Sequence, residues 1–239
     1  MRKLKRDILC TICARGGSKG VKGKNIRSFN GKPLLAHTIE QAKESKLFDH
    51  IVVSTDSDLI AEVAIRYGAE VFFKRATELA ADYSGKLDVI KDAFQRSEHF
   101  YNKEFSYLVD LDVTSPLRNI EDIRNSFIQL LDNNNSNLIT GAPSRRSPYF
   151  NLVEVMRDGS LALSKEMSEQ VVRRQDAPKT YDMNASIYIW TRETILNSSS
   201  LFLKNTGLYV MPEERSIDID SEFDFELVEF VKNRYEKSK

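Results

Sequence analysis

Short β-rich apolar runs alternate with longer stretches whose apolar residues fall three and four apart, and this rhythm restricts the fold more than any single motif. It is the pattern of stacked βαβ units. It predicts strands at 8–13, 50–54, 70–73, 106–111, 137–142 and 185–190. Helices are predicted at 33–46, 57–67, 84–101, 119–132 and 221–235; Leu34, Leu35, Thr38, Ile39 and Ala42 trace the apolar face of the first. Pro33 suits a first helical turn, Ser57 an N-cap, and Pro116 to Asn119 an approach to a charged first turn. The expected fold is α/β, with a doubly wound, mostly parallel sheet. Ligands of such sheets sit beyond the carboxyl ends of the strands, so the loops after Ala14, Ser54, Phe73 and Leu111 are where chemistry is expected.

From 143 to 183 the rhythm breaks. YFNLVEVMRDGSLAL is two alternating stretches around Asp158-Gly159, a hairpin signal. Such a hairpin leaves the sheet, and it carries Phe150, Leu152, Val155, Leu161 and Leu163, more apolar surface than one hairpin buries. We therefore expect one domain over 1–239, with 143–183 inserted as a dimerisation subdomain that makes the chain a homodimer.

Lys+Arg and Asp+Glu each total 35, so no global field draws in nucleic acid or an anionic membrane, and any anion site is local. Hydrophobic residues at 41% and charged residues at 29% are those of a globular chain, not of a disordered or membrane-spanning one. The basic start MRKLKR before DILCTICA imitates a signal peptide. Only seven uncharged residues separate Asp7 from Arg15 and no A-x-A pattern follows, so we read a buried first strand in a cytoplasmic protein. Cys10 and Cys13 form a nominal C-x-x-C, but residues three apart on a strand face opposite sides, which favours structural cysteines over a redox pair.

Residues 12–25, ICARGGSKGVKGKN, follow the first strand and combine four glycines with Arg15, Lys19, Lys22 and Lys24. Glycines such as Gly16 and Gly17 let backbone N–H groups wrap phosphate oxygens while the cations neutralise a polyphosphate. The loop matches neither the P-loop nor the dinucleotide fingerprint. Near the other end, SIDIDSEFDF puts Asp218 and Asp220 on one face of an extended segment. Two such carboxylates suit Mg²⁺ brought in with a nucleotide. The same stretch also reads as an acidic lead into the last helix, with Ser221 as N-cap and Asp224 at N3, and the pattern alone serves either role. VSTDSD (53–58) and LDVTSPLR (111–118) end apolar strands in small polar residues that can serve a ligand or a turn.

In this order the pieces resemble the CMP-sialic acid synthetases, or acylneuraminate cytidylyltransferases. The match covers ARGGSKG...KN (14–25), GKPLLAHTIEQA (31–42), LFDHIVVSTDSDLIAEVA (47–64), GAEVFFKRATELAAD (68–82), TSPLR (114–118), NASIYI (184–189) and SIDIDSEFD (216–224). The resemblance implies a nucleotide-diphospho-sugar transferase-like fold and attack of a sugar's anomeric hydroxyl on the α-phosphate of CTP. By that resemblance Arg15, Lys24 and Asp220 are catalytic; Gly16, Gly17, Ser18, Asn25 and Arg75 join Arg15 and Lys24 in holding the nucleotide. Asp218 and Asp220 hold Mg²⁺, and Asp112, Thr114, Ser115, Arg174, Asp182 and Asn184 meet the nonulosonic acid acceptor. His37, His50 and His99 lie outside these loops, which leaves metal-bound water or hydroxide as the expected proton acceptor.

Two departures fall on the acceptor side. Asp112 stands where the sialic acid enzymes have Gln, and Asp182 and Ala185 stand at their Arg and Gly positions. An acid in place of an Arg repels a sugar carboxylate unless Arg145, Arg146, Arg173 or Arg174 substitutes. The stretches VDLDVTSPLR and YDMNASIYI resemble the legionaminic acid branch, whose product is the expected one. N-acetylneuraminate or another sugar as acceptor, and a non-catalytic nucleotide-binding protein, are the alternatives.

Overall fold

The computed structural model describes residues 7–18, 20–81, 84–167 and 173–237; Lys19 of the glycine loop lies outside them. In chain order the elements are β1 (Ile8–Cys13), a small hairpin of β2 (Ser28–Phe29) and β3 (Lys32–Pro33), α1 (Leu34–Ser45), β4 (His50–Ser54), α2 (Asp58–Arg66), a single turn α3 (Thr77–Ala80), α4 (Lys86–Tyr101) and β5 (Tyr107–Leu111). There follow α5 (Ile120–Asp132), β6 (Asn137–Pro143), the pair β7 (Val153–Val155) and β8 (Leu161–Leu163), β9 (Tyr181–Thr191), α6 (Arg192–Asn197), β10 (Thr206–Val210) and α7 (Glu222–Lys237).

Six strands form the central sheet in the order β10-β6-β9-β5-β1-β4. All pairings are parallel except those of β9, which runs antiparallel to both β5 and β6. Alternation along the strands builds two cores. Ile8, Cys10, Ile12 and Val109 face α1, α5 and α7. Leu9, Leu108, Tyr188 and Trp190 face α4 and α6. Cys10 and Cys13 therefore belong to opposite faces, both thiols are free, and burial pushes both well above the usual thiol range. A redox pair is ruled out by direction, as the strand reading required.

Helix starts follow local chemistry. Ser57 Oγ accepts from the Ile60 N–H, and Asn119 forms a reciprocal capping box with Asp122. Three expectations need correction. Residues 70–73 are not a strand: Glu70 bonds Ile51 and Val53 once each, and the chain then leaves the sheet so that the Arg75 N–H reaches Thr55 O at 2.8 Å. The last predicted strand is the longer β9, which runs antiparallel. The edge strand β10 (TGLYV) lies outside the predicted strands. Gly159, at φ +83, turns the β7–β8 hairpin, which among the described residues pairs with no other strand.

Candidate active site

Five strands point one way, so their carboxyl ends, the start of antiparallel β9 and the chain leaving β10 all meet at one edge of the sheet. Three adjoining clefts open there. The first is lined by Arg15, Arg75, Ser84, Lys86 and Asp112, and the second by Arg15, Ser18, Lys24, Asn25, Thr114 and Asp220. The third holds Arg145, Asp182, Asn184, Glu213, Ser216 and Asp218. The order β4-β1-β5 puts the first two where the winding reverses, the usual ligand position in such sheets.

The glycine loop is pinned at both ends. Gly16 N–H donates to Asp56 Oδ1 at 2.9 Å, which gives VSTDSD a scaffolding role. Buried Asn25 donates from Nδ2 to Arg15 O at 2.8 Å. Its amide thus shapes the loop, and Gly17 stands open with no atom near a would-be β-carbon. Arg75 is buried beneath the first cleft, its guanidinium donating to Ser54 Oγ at 3.0 Å and to Ser54 O.

Lys24 joins the two ends of the sequence. Its ammonium donates to Ile219 O and lies 3.6 Å from Asp220 Oδ1. Ile219 is fully buried and its N–H donates to Thr114 O at 3.0 Å, so Asp218 and Asp220 project on the other side of the segment. Arg215, bidentate on buried Asp122 at 2.9 Å, anchors this segment to α5. Ser221 and Asp224 cap α7 reciprocally, so the cap and the carboxylate pair coexist in one stretch. Asp218 Oδ1 is buried without a hydrogen-bond partner, and burial, with Asp112 and Asp220 nearby, pushes this carboxyl up to about 6. A cation between these oxygens relieves both conditions, and hard carboxylates suit Mg²⁺. Among the described residues no group of three or more His, Cys, Asp or Glu is placed to hold a metal, so phosphate oxygens and water would complete the shell.

The acceptor-side residues scatter. Thr114 donates from N and Oγ1 to Asp112 Oδ1 at 3.0 and 2.9 Å, and Ser115 Oγ is buried without a partner. Asn184 is buried with both ends of its amide engaged, accepting from Thr140 Oγ1 at 2.6 Å and donating to Ser216 Oγ at 2.9 Å. Asp182 is exposed and accepts from Ser144 Oγ at 2.6 Å. The Arg174 guanidinium donates to Ser144 O in a depression with Lys179 that shares Pro143 with the third cleft. Arg173 pairs with Asp176, and Arg145 with Glu213. Both of these arginines are thus paired with an acid, and of the two Arg145 lines the third cleft with Asp182. The histidines are accounted for by structure: His37 bonds Phe29 O, His50 pairs with Glu70, and His99 is exposed on α4.

Sequence reasoning missed three residues here. Lys86 binds Asp112 Oδ2; against the upward push of burial, this ammonium and the Thr114 bonds draw Asp112 down to about 2. Asp110 is fully buried beside it. Arg118 is buried too, burial lowering it to about 10, and its guanidinium donates to Ser186 O at 2.6 Å, Gln41 Oε1 at 3.0 Å and Asp112 O at 3.2 Å. It ties the loop after β5 to α1 and β9. A lysine at the first position of a helix, against the dipole, was the one available signal for Lys86.

The chain belongs to the cytidylyltransferase family, which matches residues 9–239. It is 56% identical over 225 residues to a CMP-N,N'-diacetyllegionaminic acid synthase of Campylobacter jejuni, covering 94% of each chain. It is 54% identical to a post-translational flagellin modification protein B of Campylobacter coli, also covering 94% of each. A solved CMP:2-keto-3-deoxy-manno-octonic acid synthetase complexed with CTP shares the fold, with a TM-score of 0.70 over 96% of this chain and 99% of that one, at 16% identity. Among the described residues no helix is long and apolar enough to cross a membrane.

Proposed function

We propose that the chain transfers CMP from CTP to the anomeric hydroxyl of a nonulosonic acid, releasing pyrophosphate, with a CMP-legionaminic acid as the product. The observation that carries this reading is the convergence of Lys24 on the Asp218–Asp220 segment beside the glycine loop. Nucleotidyl transfer needs positioned charge more than a covalent intermediate. Arg15, Ser18 and Lys24 would hold the triphosphate and Arg75 would stiffen the wall of the cytidine cleft. Asp218 and Asp220 would hold Mg²⁺, which supplies positive charge at the transferring phosphate. The third cleft, with Asp182, would receive the sugar, whose hydroxyl oxygen bonds to the α-phosphorus as the bond to the α–β bridging oxygen breaks. Pyrophosphate leaves with those electrons and the hydroxyl proton passes to water.

The reaction belongs in the cytoplasm, and the 143–183 segment would serve as the dimerisation insertion of a single catalytic domain. The test is to mix the protein with CTP, Mg²⁺ and, in turn, N-acetylneuraminic, legionaminic and pseudaminic acids. Pyrophosphate and a CMP-sugar are expected, fastest with legionaminic acid. No pyrophosphate with any of the three overturns the proposal.

A further inference from the structure

Asp110 in β5 and Asp112 just past its end are two carboxylates at i and i+2 of one chain segment. Asp110 is fully buried: Oδ1 accepts from Thr11 Oγ1 at 2.8 Å, and Oδ2 has no donor at bonding geometry although the Cys13 thiol lies alongside. Asp112 is half-buried and lines both the Arg75 and the Lys24 clefts. One ammonium serves both. Lys86 Nζ binds Asp112 Oδ2, stands 3.7 Å from Asp110 Oδ2 and lies 4.6 Å from the centroid of the Tyr188 ring.

This arrangement is costly twice over. Lys86 opens α4, where the helix dipole disfavours a cation. Among the described residues it alone stands within ion-pair distance of the two desolvated carboxylates, the buried Arg118 guanidinium acting on them from farther off. Both costs fall on the floor between the clefts where, under the function proposed above, a triphosphate and a sugar carboxylate meet.

We propose that Lys86 is a positioning residue for the transfer, aiming and neutralising the Asp112 carboxylate so that the pair presents an uncharged hydrogen-bonding wall to two anionic substrates. With Thr114 on one oxygen and Lys86 on the other, Asp112 has one orientation. Without Lys86, Asp112 loses both the donor on Oδ2 and its partner charge, and the wall it presents to an incoming anion is no longer fixed in orientation or neutralised. If Lys86 served only as counterion to Asp110, its loss would act through folding and not through Asp112.

A mutant cycle separates the two. Lys86→Gln, Asp112→Gln, the double variant, and Lys86→Gln with Asp110→Asn are compared in steady-state kinetics, calorimetric binding of Mg²⁺-CTP and thermal unfolding. Lys86→Gln is expected to lower kcat/KM roughly ten- to a hundredfold, through KM for both substrates. Adding Asp112→Gln restores most of that loss, whereas adding Asp110→Asn restores Tm and leaves KM high. An equal loss in the Asp112→Gln background, or full kinetic recovery with Asp110→Asn, overturns the proposal. Calorimetry with CTP needs no acceptor, so the role of Lys86 is still read if no sugar acid turns over, an outcome that would sink only the proposed function.

Discussion

Gly20 lies against the backbone of Asp220: a β-carbon on Gly20 would stand 1.9 Å from the Asp220 carbonyl oxygen. The glycine loop after the first strand and the carboxylate segment before the last helix are thus packed backbone to backbone. Gly20→Ala forces them apart and moves Lys24 relative to Asp220. Displacement of a reacting centre by about 1 Å costs on the order of a hundredfold in rate, while overpacking costs about 1–3 kcal/mol of stability. We expect kcat to fall on that scale with the protein still folded. A variant that turned over like wild type would show that the two loops move independently.

Asp218→Asn and Asp220→Asn are each expected to lower turnover roughly a thousandfold while leaving the fold intact. The pH dependence adds a second readout. Asp218 is pushed up to about 6 by burial and by Asp112 and Asp220, so in the metal-free folded protein it holds a proton that the unfolded chain has already released at a lower pH. The folded state binds more protons in that window, and raising the pH through about 6 therefore lowers stability. A cation bound to the ionised carboxylate offsets that loss. The gain in Tm on adding Mg²⁺ with CTP should be larger at pH 7.5 than at pH 5, conditions chosen to bracket this titration, and Asp218→Asn should abolish the difference. A gain that did not vary with pH would remove Asp218 from the metal site.

The alternation of Ile8, Leu9 and Cys10, and the spacing along α1, made the parallel sheet and its helices readable, because periodicity reports burial directly. The glycine loop and the Asp218–Asp220 pair were readable for a related reason: their chemistry is concentrated in short segments. Lys86, Asp110 and Arg118 were not, because each acquires its role from partners on other elements. Arg118 meets Gln41 on α1 and Ser186 on β9, and neither contact leaves a mark in the local sequence. Arg174 is the converse case: its place in the chain suggests the acceptor, and the fold sets its guanidinium on Ser144 O, beside the Pro143 that also lines the third cleft.

Ala185 holds φ at +53, a left-handed conformation, beside the register shift between β6 and β9. An L-residue there carries a strain of about 1–2 kcal/mol, and glycine removes it at the cost of roughly 0.5–1 kcal/mol in unfolded-state entropy. Ala185→Gly should raise stability by about 0.5 kcal/mol, or roughly 1–2 °C in Tm for a chain of this size. A lower Tm would show that the alanine methyl contributes more packing than strain.

The β7–β8 hairpin sets Val155 and Leu161 opposite each other, 74% and 70% exposed. Such a cross-strand apolar pair is an expected contact between copies. Light scattering at micromolar concentration should give a dimer mass, and Val155→Lys with Leu161→Lys should give a monomer. A monomeric wild type refutes the dimer.

The preference for one sugar is the remaining test, and we assign it to Asp182 rather than Asp112. Asp112 has both oxygens occupied, by Thr114 and by Lys86, and so has little left to offer an acceptor. Asp182 is exposed in the third cleft with Ser144 on Oδ1, in company with Asp218 and Asn184. A 9-deoxy, 7-acylamino sugar such as legionaminic acid presents an amide N–H where sialic acid has a hydroxyl, and a carboxylate accepts from an amide without rearrangement. Because a hydroxyl can also donate to the carboxylate, the difference rests on how the bulkier acylamino group fills the cleft, and a ratio of roughly ten- to two-hundredfold in kcat/KM for legionaminic over N-acetylneuraminic acid is expected. Asp182→Ala should narrow that ratio by weakening the legionaminic acid reaction. Asp112→Gln should change the rates with both sugars in parallel and leave the ratio alone. Direct competition between the two sugars for limiting CTP measures it, and a ratio insensitive to Asp182→Ala would place sugar reading elsewhere in the cleft.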